Sequence, residues 1–451
     1  MTLKRSVYGL LFIIIAAAAW AIGRTSWQER RFAADLRLLA AHGYPVNNAD
    51  LETRYHADTS TEATEDWLRA LEPFGSERFK QERLPVSYIG IPSDGGGDPI
   101  PHQLDDWENR DADLAFVRRW QQTVDQLHDL ARHRQPVRIP RVHRGWETDL
   151  PTLDSVRHAA RLLRLDHDIH LIEGDPVNAF NSSLALLRIA KLLRQEDSMI
   201  GQLVMFAIHE QALRCLQRAL RTQGGDTFHR QELQFALSLF DNYETIYRKV
   251  AVNERAFAID AIRSRSRFIE TNWILVGSWP SAGRLMLQYY GSMLDVPTSP
   301  TLDFMKSTAS RDWEFSQEFE QRTWLAKRDT VIALQTTVAL YKFAQYLVEQ
   351  ESLARLAQLA LIIRSFESRT GRLPSDLAEL AFLETDLSRF HSYLRIPFQY
   401  QLSESGEAML WGPDPAHWAL YEESSEVPLP IPTGGEIEDN KWLWVLYPVS
   451  H

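Results

Sequence analysis

The chain opens on an apolar, uncharged run over residues 6–23, preceded by Lys4 and Arg5 and closed by Arg24. Beyond it, apolar residues recur every three or four positions over most of the length, the period of helices that bury one face. Phe32, Leu36 and Leu39 predict a helix over 27–41, ended by Gly43-Tyr44-Pro45. Asn47 or Asn48 caps a short helix at Leu51, and Trp67, Leu68 and Leu71 lie on the next. From about 75 to 112 the period is lost among Pro85, Pro92, Pro99 and Pro101. That stretch predicts an irregular excursion with one strand over 86–91.

Helical spacing returns over 112–134 with Leu114, Val117, Trp120, Val124 and Leu127. Asp154 is read as the cap of a helix carrying Val156, Ala159, Leu163 and Ile169, and Asp175-Pro176 as the start of the next. Asp197-Ser198 opens a third that Gly224-Gly225 stops, followed by helices over 229–249 and 253–269. Short connections between helices of this length favour antiparallel neighbours. Residues 271–302, with Pro280, Pro297 and Pro300, read as loop, and 315–368 as a long helical region. Thr370–Pro374 ends it, and a short helix follows over 377–380. The period then shifts to two: Phe398, Tyr400 and Leu402 alternate with polar residues, Gly406 turns the chain, Met409–Trp411 return, and 441–447 make a third strand.

The expected fold class is therefore mainly α, an antiparallel helical-hairpin bundle with a small α+β C-terminal domain of short antiparallel strands. The expected organisation is a membrane anchor or signal peptide over 1–24, a helical and irregular region over 25–112, and the hairpin bundle over 113–270. A linker with the start of the long helical region follows over 271–320, and the long helix with its small sheet over 321–451. No fixed repeat period is found.

Eighteen helical residues span about 27 Å, close to a hydrocarbon core of roughly 30 Å. The run over 6–23 is thus either a single anchor or a cleavable signal, since Ala17-Ala18-Ala19 and Ala19-Trp20-Ala21 both satisfy the small-x-small cleavage rule. Lys4 and Arg5 favour a cytoplasmic N-terminus, while Arg24, Arg30 and Arg31 pull the other way. Export of the large C-terminal part is the favoured orientation. Of 451 residues, 49 are Lys or Arg and 60 Asp or Glu, a formal net charge of −11. With no basic stripe to offset that charge, a nucleic-acid partner is not expected. The single cysteine, Cys215, forms no intramolecular disulfide and fits either redox compartment.

The stretches Gly371-Arg372-Leu373-Pro374-Ser375-Asp376-Leu377-Ala378-Glu379-Leu380, Pro397-Phe398-Gln399-Tyr400 and Leu410-Trp411-Gly412-Pro413-Asp414 carry a resemblance. The tail resembles the soluble part of type II secretion pseudopilins, in which a helix, a G-x-x-P-x-x-L-x-x-L step and two or three short antiparallel strands follow one another. The same arrangement closes many membrane-anchored bacterial envelope proteins with a helical middle, and the chain is similar to that group over about 90 residues. Two features depart from pseudopilins: the aspartate-proline before the first strand is replaced by Arg395-Ile396-Pro397, and the N-terminal run lacks the prepilin processing pattern. The resemblance implies no catalytic residue and no cofactor.

Asp166-His167-Asp168-Ile169-His170 is the best candidate for chemistry. On a helix, Asp166, His167 and His170 fall within reach of one face, and two imidazoles with a carboxylate are suitable metal ligands. His209-Glu210 begins a zinc-protease motif that fails at Leu213, Gly95-Gly96-Gly97 lacks the residues of a phosphate loop, and Gly277-Ser278-Trp279-Pro280 is not a nucleophile elbow. Trp411, Trp418, Tyr421, Trp442 and Trp444 form either a ligand platform or, more simply, the core of a small sheet. The expectation is a non-catalytic scaffold or interaction module of the bacterial inner membrane, single-pass, with its bulk periplasmic, holding a protein partner in an apolar helical groove. The alternatives are a metal-dependent hydrolase at Asp166, His167 and His170, or a secretion-apparatus component.

Overall fold

The computed structural model describes residues 2–56, 60–90, 107–132, 137–145, 147–222, 233, 236–237, 243–264, 279–296, 301–321, 331–384, 390, 397–404, 406–412 and 443–447. Among them the chain is mainly helical, with one small antiparallel sheet. The helices are α1 (Thr2–Ala41), α2 (Asn48–His56), α3 (Thr61–Leu71), α4 (Glu77–Glu82), α5 (Arg110–Arg119) and α6 (Gln121–Arg132). Then follow α7 (Pro151–Ile172), α8 (Pro176–Leu192), α9 (Met199–Thr222) and α10 (Tyr243–Ser264). The last are α11 (Trp279–Leu294), α12 (Thr301–Gln321) and α13 (Val331–Thr370). The strands are β1 (Gln399–Leu402), β2 (Ala408–Trp411) and β3 (Leu443–Leu446).

The contacts sort these elements into two compact units, neither a continuous stretch of chain. The first comprises Met1–Tyr55, Arg141–Asp149 and Arg248–Ala344. Its core gathers Phe32 of α1 with Ala258, Ile259, Ile262, Met286, Tyr289 and Met293, and Leu36 and Leu39 pack against them. The spacing of Phe32, Leu36 and Leu39 therefore buries the face of α1 that it predicts. Gly283 of α11 lets the ring of Phe32 lie on the helix backbone, since a Cβ there would stand 2.7 Å from Phe32 Cε2. Arg284 on the next position pairs with Asp35 at 3.0 Å.

The apolar N-terminal run is not a separate element: α1 passes through it without a break. Tyr8, Phe12, Ile13, Ile14, Ile15, Trp20 and Ile22 are exposed along it. It is the one helix among the described residues long and apolar enough to cross a membrane. Arg24 lies over the Trp20 ring at 5.3 Å and Arg31 over Trp27 at 4.3 Å.

The second unit comprises His56–Pro140, Leu150–Tyr247 and Gln345–His451. Its centre is the stack α7–α8–α9, each helix folded back on its predecessor. Asp175 accepts a hydrogen bond from the Asn178 amide and, with Pro176 at the first position, starts α8 where the sequence predicts it. In contrast, α7 starts at Pro151, with Leu150 as its cap and Asp154 in its first turn, so Asp154 supports the helix dipole instead of capping.

Other expectations are corrected. Residues 86–90 form turns, not a strand: Ile89 N donates to Ser87 O at 2.7 Å, Gly90 N donates to Val86 O at 2.7 Å, and Tyr88 adopts a left-handed φ of 59°. The helix expected over 112–134 is two, broken at Trp120, whose indole N–H donates to Glu82 Oε2 at 3.0 Å. α10 runs through the break expected between Lys249 and Asn253. Residues 279–294, read as loop, form α11, because Pro280 sits in the first turn, where proline is tolerated. Residues 91, 95–97, 224–225, 229, 265–278 and 297–300 lie outside the described set.

The tail follows its sequence pattern. Asp376 caps a 3₁₀ turn over Leu377–Phe382, and β1, β2 and β3 pair antiparallel in that order, with Tyr400 opposite Leu410 and Leu410 opposite Trp444. Gly406, at φ 86°, makes the turn between β1 and β2. Arg364, fully buried on α13, ties this tail to the helical stack. It donates to Leu220 O at 2.7 Å, Arg221 O at 3.0 Å and Tyr447 O at 2.7 Å, and pairs with Glu367 at 2.5 Å. Arg364→Met removes these donors from the carbonyls and the buried cation from Glu367, which costs roughly 3–5 kcal/mol. Chemical denaturation of the second unit checks this, with an unchanged midpoint as the contrary result.

Candidate functional site

α7 crosses the middle of the second unit, so most of its side chains meet other helices, and its polar residues must find partners there. Asp168 is fully buried. Its Oδ1 accepts from Arg218 of α9 at 2.6 Å and its Oδ2 from the Tyr88 hydroxyl at 2.5 Å. Arg164, one turn earlier on α7, lies over the Tyr88 ring at 4.0 Å. Burial alone pushes the Asp168 carboxyl up; Arg218 above all, then His167, Arg164 and the Tyr88 hydrogen bond, overcome it and hold the carboxyl below its ordinary range. Burial and the adjacent carboxylate push the Tyr88 phenol well up. Cys215, buried beside this cluster, is pushed up to about 12, chiefly by burial, and is an inert thiol.

That pairing sets the rotation of α7, and the neighbouring residues follow from it. His167 turns into the core. Its Nδ1–H donates to Ala179 O at 2.7 Å, while Nε2 makes no hydrogen bond and stands 3.7 Å from Asp168 Oδ1. Burial lowers its pKa to about 4, against the pull of Asp168. Asp166 and His170 instead face a cleft between α6, α7 and α8, with a volume of about 710 Å³. The sequence-predicted trio is thus divided: Asp166 and His170 are brought together and His167 is not. Among the described residues no group of three His, Cys, Asp or Glu side chains is arranged to hold a metal ion.

The cleft adds residues that the sequence reading passed over. α6 contributes Gln121, Asp125, His128, Asp129 and Arg132, and α8 contributes Asn178, Asn181, Ser182 and Arg188. Both sets recur at helical spacing opposite an apolar face, and that polar stripe was the available signal. Asp166 is the focus. It is 2% exposed; its Oδ2 accepts from the Ser182 hydroxyl at 2.6 Å, and His128 Nε2 stands 3.6 Å from the same oxygen. His170 Nε2 stands 3.5 Å from Oδ1, and its Nδ1 is 3.6 Å from Asp175 Oδ2. Asp175 is held below its usual range, first by the Asn178 backbone N–H. Ser182 Oγ lies 3.5 Å from His128 Nε2, but its hydroxyl is committed to Asp166. A serine nucleophile needs the histidine between serine and carboxylate, and that order is not met.

Other candidates resolve as structure. His209 is buried, with Nδ1 2.7 Å from Gln350 Oε1, and burial lowers its pKa to about 4. Trp411 and Trp444 are buried in the sheet and are no platform, while Trp418, Tyr421 and Trp442 lie outside the described residues. Comparison of the chain with family models, curated proteins and solved structures finds no match.

The two buried neutral histidines have a pH consequence. Unfolded, each takes a proton near 6.5; folded, near 4. Between these values the unfolded chain binds more protons, so their contribution is intact above pH 6.5 and is lost as the pH falls toward 4. Thermal unfolding between pH 7 and 4.5 is expected to show a falling midpoint, with a shallower fall in His167→Gln. Parallel profiles for the two proteins would contradict it.

Proposed function

We propose that the chain is a non-catalytic binding module tethered to the bacterial inner membrane by α1, with its bulk on the periplasmic side and the α6–α7–α8 cleft as its recognition site. The observation that carries this reading is the continuity of α1. One helix, about 60 Å long, presents exposed apolar residues at one end and buries Phe32, Leu36 and Leu39 at the other. A span that continues into a packed core is a mount that holds the first unit at the bilayer and raises the local concentration of the chain there. The Trp20–Arg24 and Trp27–Arg31 pairs suit the headgroup level, where aromatic and basic side chains are favoured.

Lining by carboxylates, guanidiniums and amides points to a polar ligand, in place of the apolar partner surface that the helical pattern suggested. The hydrolase alternative loses its support, because His167 is in the core and the remaining groups do not form a metal-binding set. We further propose kinship of the tail with the pseudopilin-like envelope proteins, a reading that calls for the helix, turn and short antiparallel strands found there.

Fractionation of cells carrying a C-terminally tagged full-length chain tests the proposal. The tag is expected to pellet with membranes, to resist carbonate extraction and to be digested by protease in spheroplasts but not in intact cells. A soluble tag, or one protected in spheroplasts, contradicts it.

A further inference from the structure

Arg255 stands on a face of α10 that is otherwise apolar. Ala251, Ala258 and Ile259, three or four residues to either side of it, belong to the core of the first unit. Arg255 is 3% exposed, and its Nε and Nη2 are both buried with no hydrogen-bond acceptor among the described residues. The groups that act on its charge are Tyr44, Arg54 and Tyr290, with no carboxylate among them. Burial depresses the guanidinium pKa from its ordinary value, Arg54 adds to that, and the two tyrosines oppose it. A cation taken out of water is ordinarily kept paired and hydrogen-bonded, so this one calls for an anion.

The two unpartnered atoms say which kind. The Nε hydrogen and the nearer Nη2 hydrogen leave one edge of the guanidinium side by side, the fork that grips two oxygens of a single oxyanion. The face of the same group is already used, with its central carbon 4.7 Å from the centroid of the Tyr44 ring. Gly43, at φ 74°, turns the chain into Tyr44, and its carbonyl accepts from Arg54 of α2. One turn thus holds two guanidiniums at adjacent residues, a pair of positive charges that favours an oxyanion with more than one negative charge. Tyr44 is 40% exposed, so solvent meets the site on the side of that ring.

We infer that the free edge of Arg255, with Arg54 beside it, binds a dissolved oxyanion of the phosphate class. All four residues belong to the first unit, and the site is independent of the cleft. A lipid headgroup is the less suitable source. With α1 as the anchor, about 26 Å of helix separates Arg24 from Ala41 and the turn that follows, against a headgroup layer roughly 5–8 Å deep.

The test is calorimetric titration of the full chain, in phosphatidylcholine nanodiscs, with inorganic phosphate, acetate and chloride at equal ionic strength. Phosphate is expected to bind, acetate to bind roughly tenfold more weakly or worse, and chloride not to compete. Arg255→Lys keeps the charge and loses the fork, and is expected to weaken phosphate roughly tenfold or more. Arg54→Gln, at an exposed position, is expected to weaken it several-fold. Circular dichroism checks that each variant is folded, and Arg54→Gln carries the test if Arg255→Lys is not. Absence of phosphate binding overturns the inference, as does phosphate binding unmoved in the folded variants, or acetate bound as tightly as phosphate. Nanodiscs containing phosphatidylglycerol separate the two sources. Unchanged phosphate affinity is expected there, and loss of phosphate binding to the anionic lipid would assign the site to a headgroup and overturn the dissolved source.

Discussion

A buried carboxylate, Asp168, governs the second unit. A charge at 0% exposure is tolerated only when paired and hydrogen-bonded. Arg218 from α9 and Tyr88 from the turn before α5 supply that pairing, and together they set how α7 is rotated. One residue earlier, His167 has no choice but the core; two residues to either side, Asp166 and His170 have no choice but the cleft. The cost is visible at Tyr88, the non-glycine residue in the left-handed region among those described. Such a backbone conformation costs on the order of 1–3 kcal/mol and is kept because the hydroxyl is needed at the buried charge.

Much of the architecture was legible from spacing. Phe32, Leu36 and Leu39 specified the buried face of α1, Asp175-Pro176 the start of α8, and the alternation around Tyr400 the first hairpin. These are local signals, and local physics decides them. What failed was nonlocal. Trp120 reads as one more apolar position of a helix, but its indole N–H is drawn to Glu82, and the helix breaks there. Pro280 reads as a breaker, but it stands in the first turn of α11, where proline is tolerated. Residues 86–91 read as a strand from their apolar positions, yet Val86 and Ile89 reach burial through turns that aim Tyr88 at α7.

The candidate site was half legible for the same reason. The cluster on α7 announced itself by composition, but which of its members would meet depended on the rotation of α7, and that rotation depends on Arg218, fifty residues away. His128 and Ser182 carried no motif. They matter because α6 and α8 bring their polar stripes to the same cleft. The outcome is a carboxylate with a histidine at each oxygen and a serine already in place. That arrangement lacks the ordered relay of an acyl-transfer enzyme.

The central claim is therefore geometric: the rotation of α7 sends His167 inward and leaves His170 at the cleft, where α6 brings His128. Diethylpyrocarbonate labelling of the native full-length chain, read residue by residue by mass spectrometry, tests it most directly. Side-chain exposures of 26% for His170 and 22% for His128, against 0% for His167, predict rapid modification of the first two and protection of the third until the protein unfolds. Modification of His167 at the same rate as His170 in the folded protein would contradict the account.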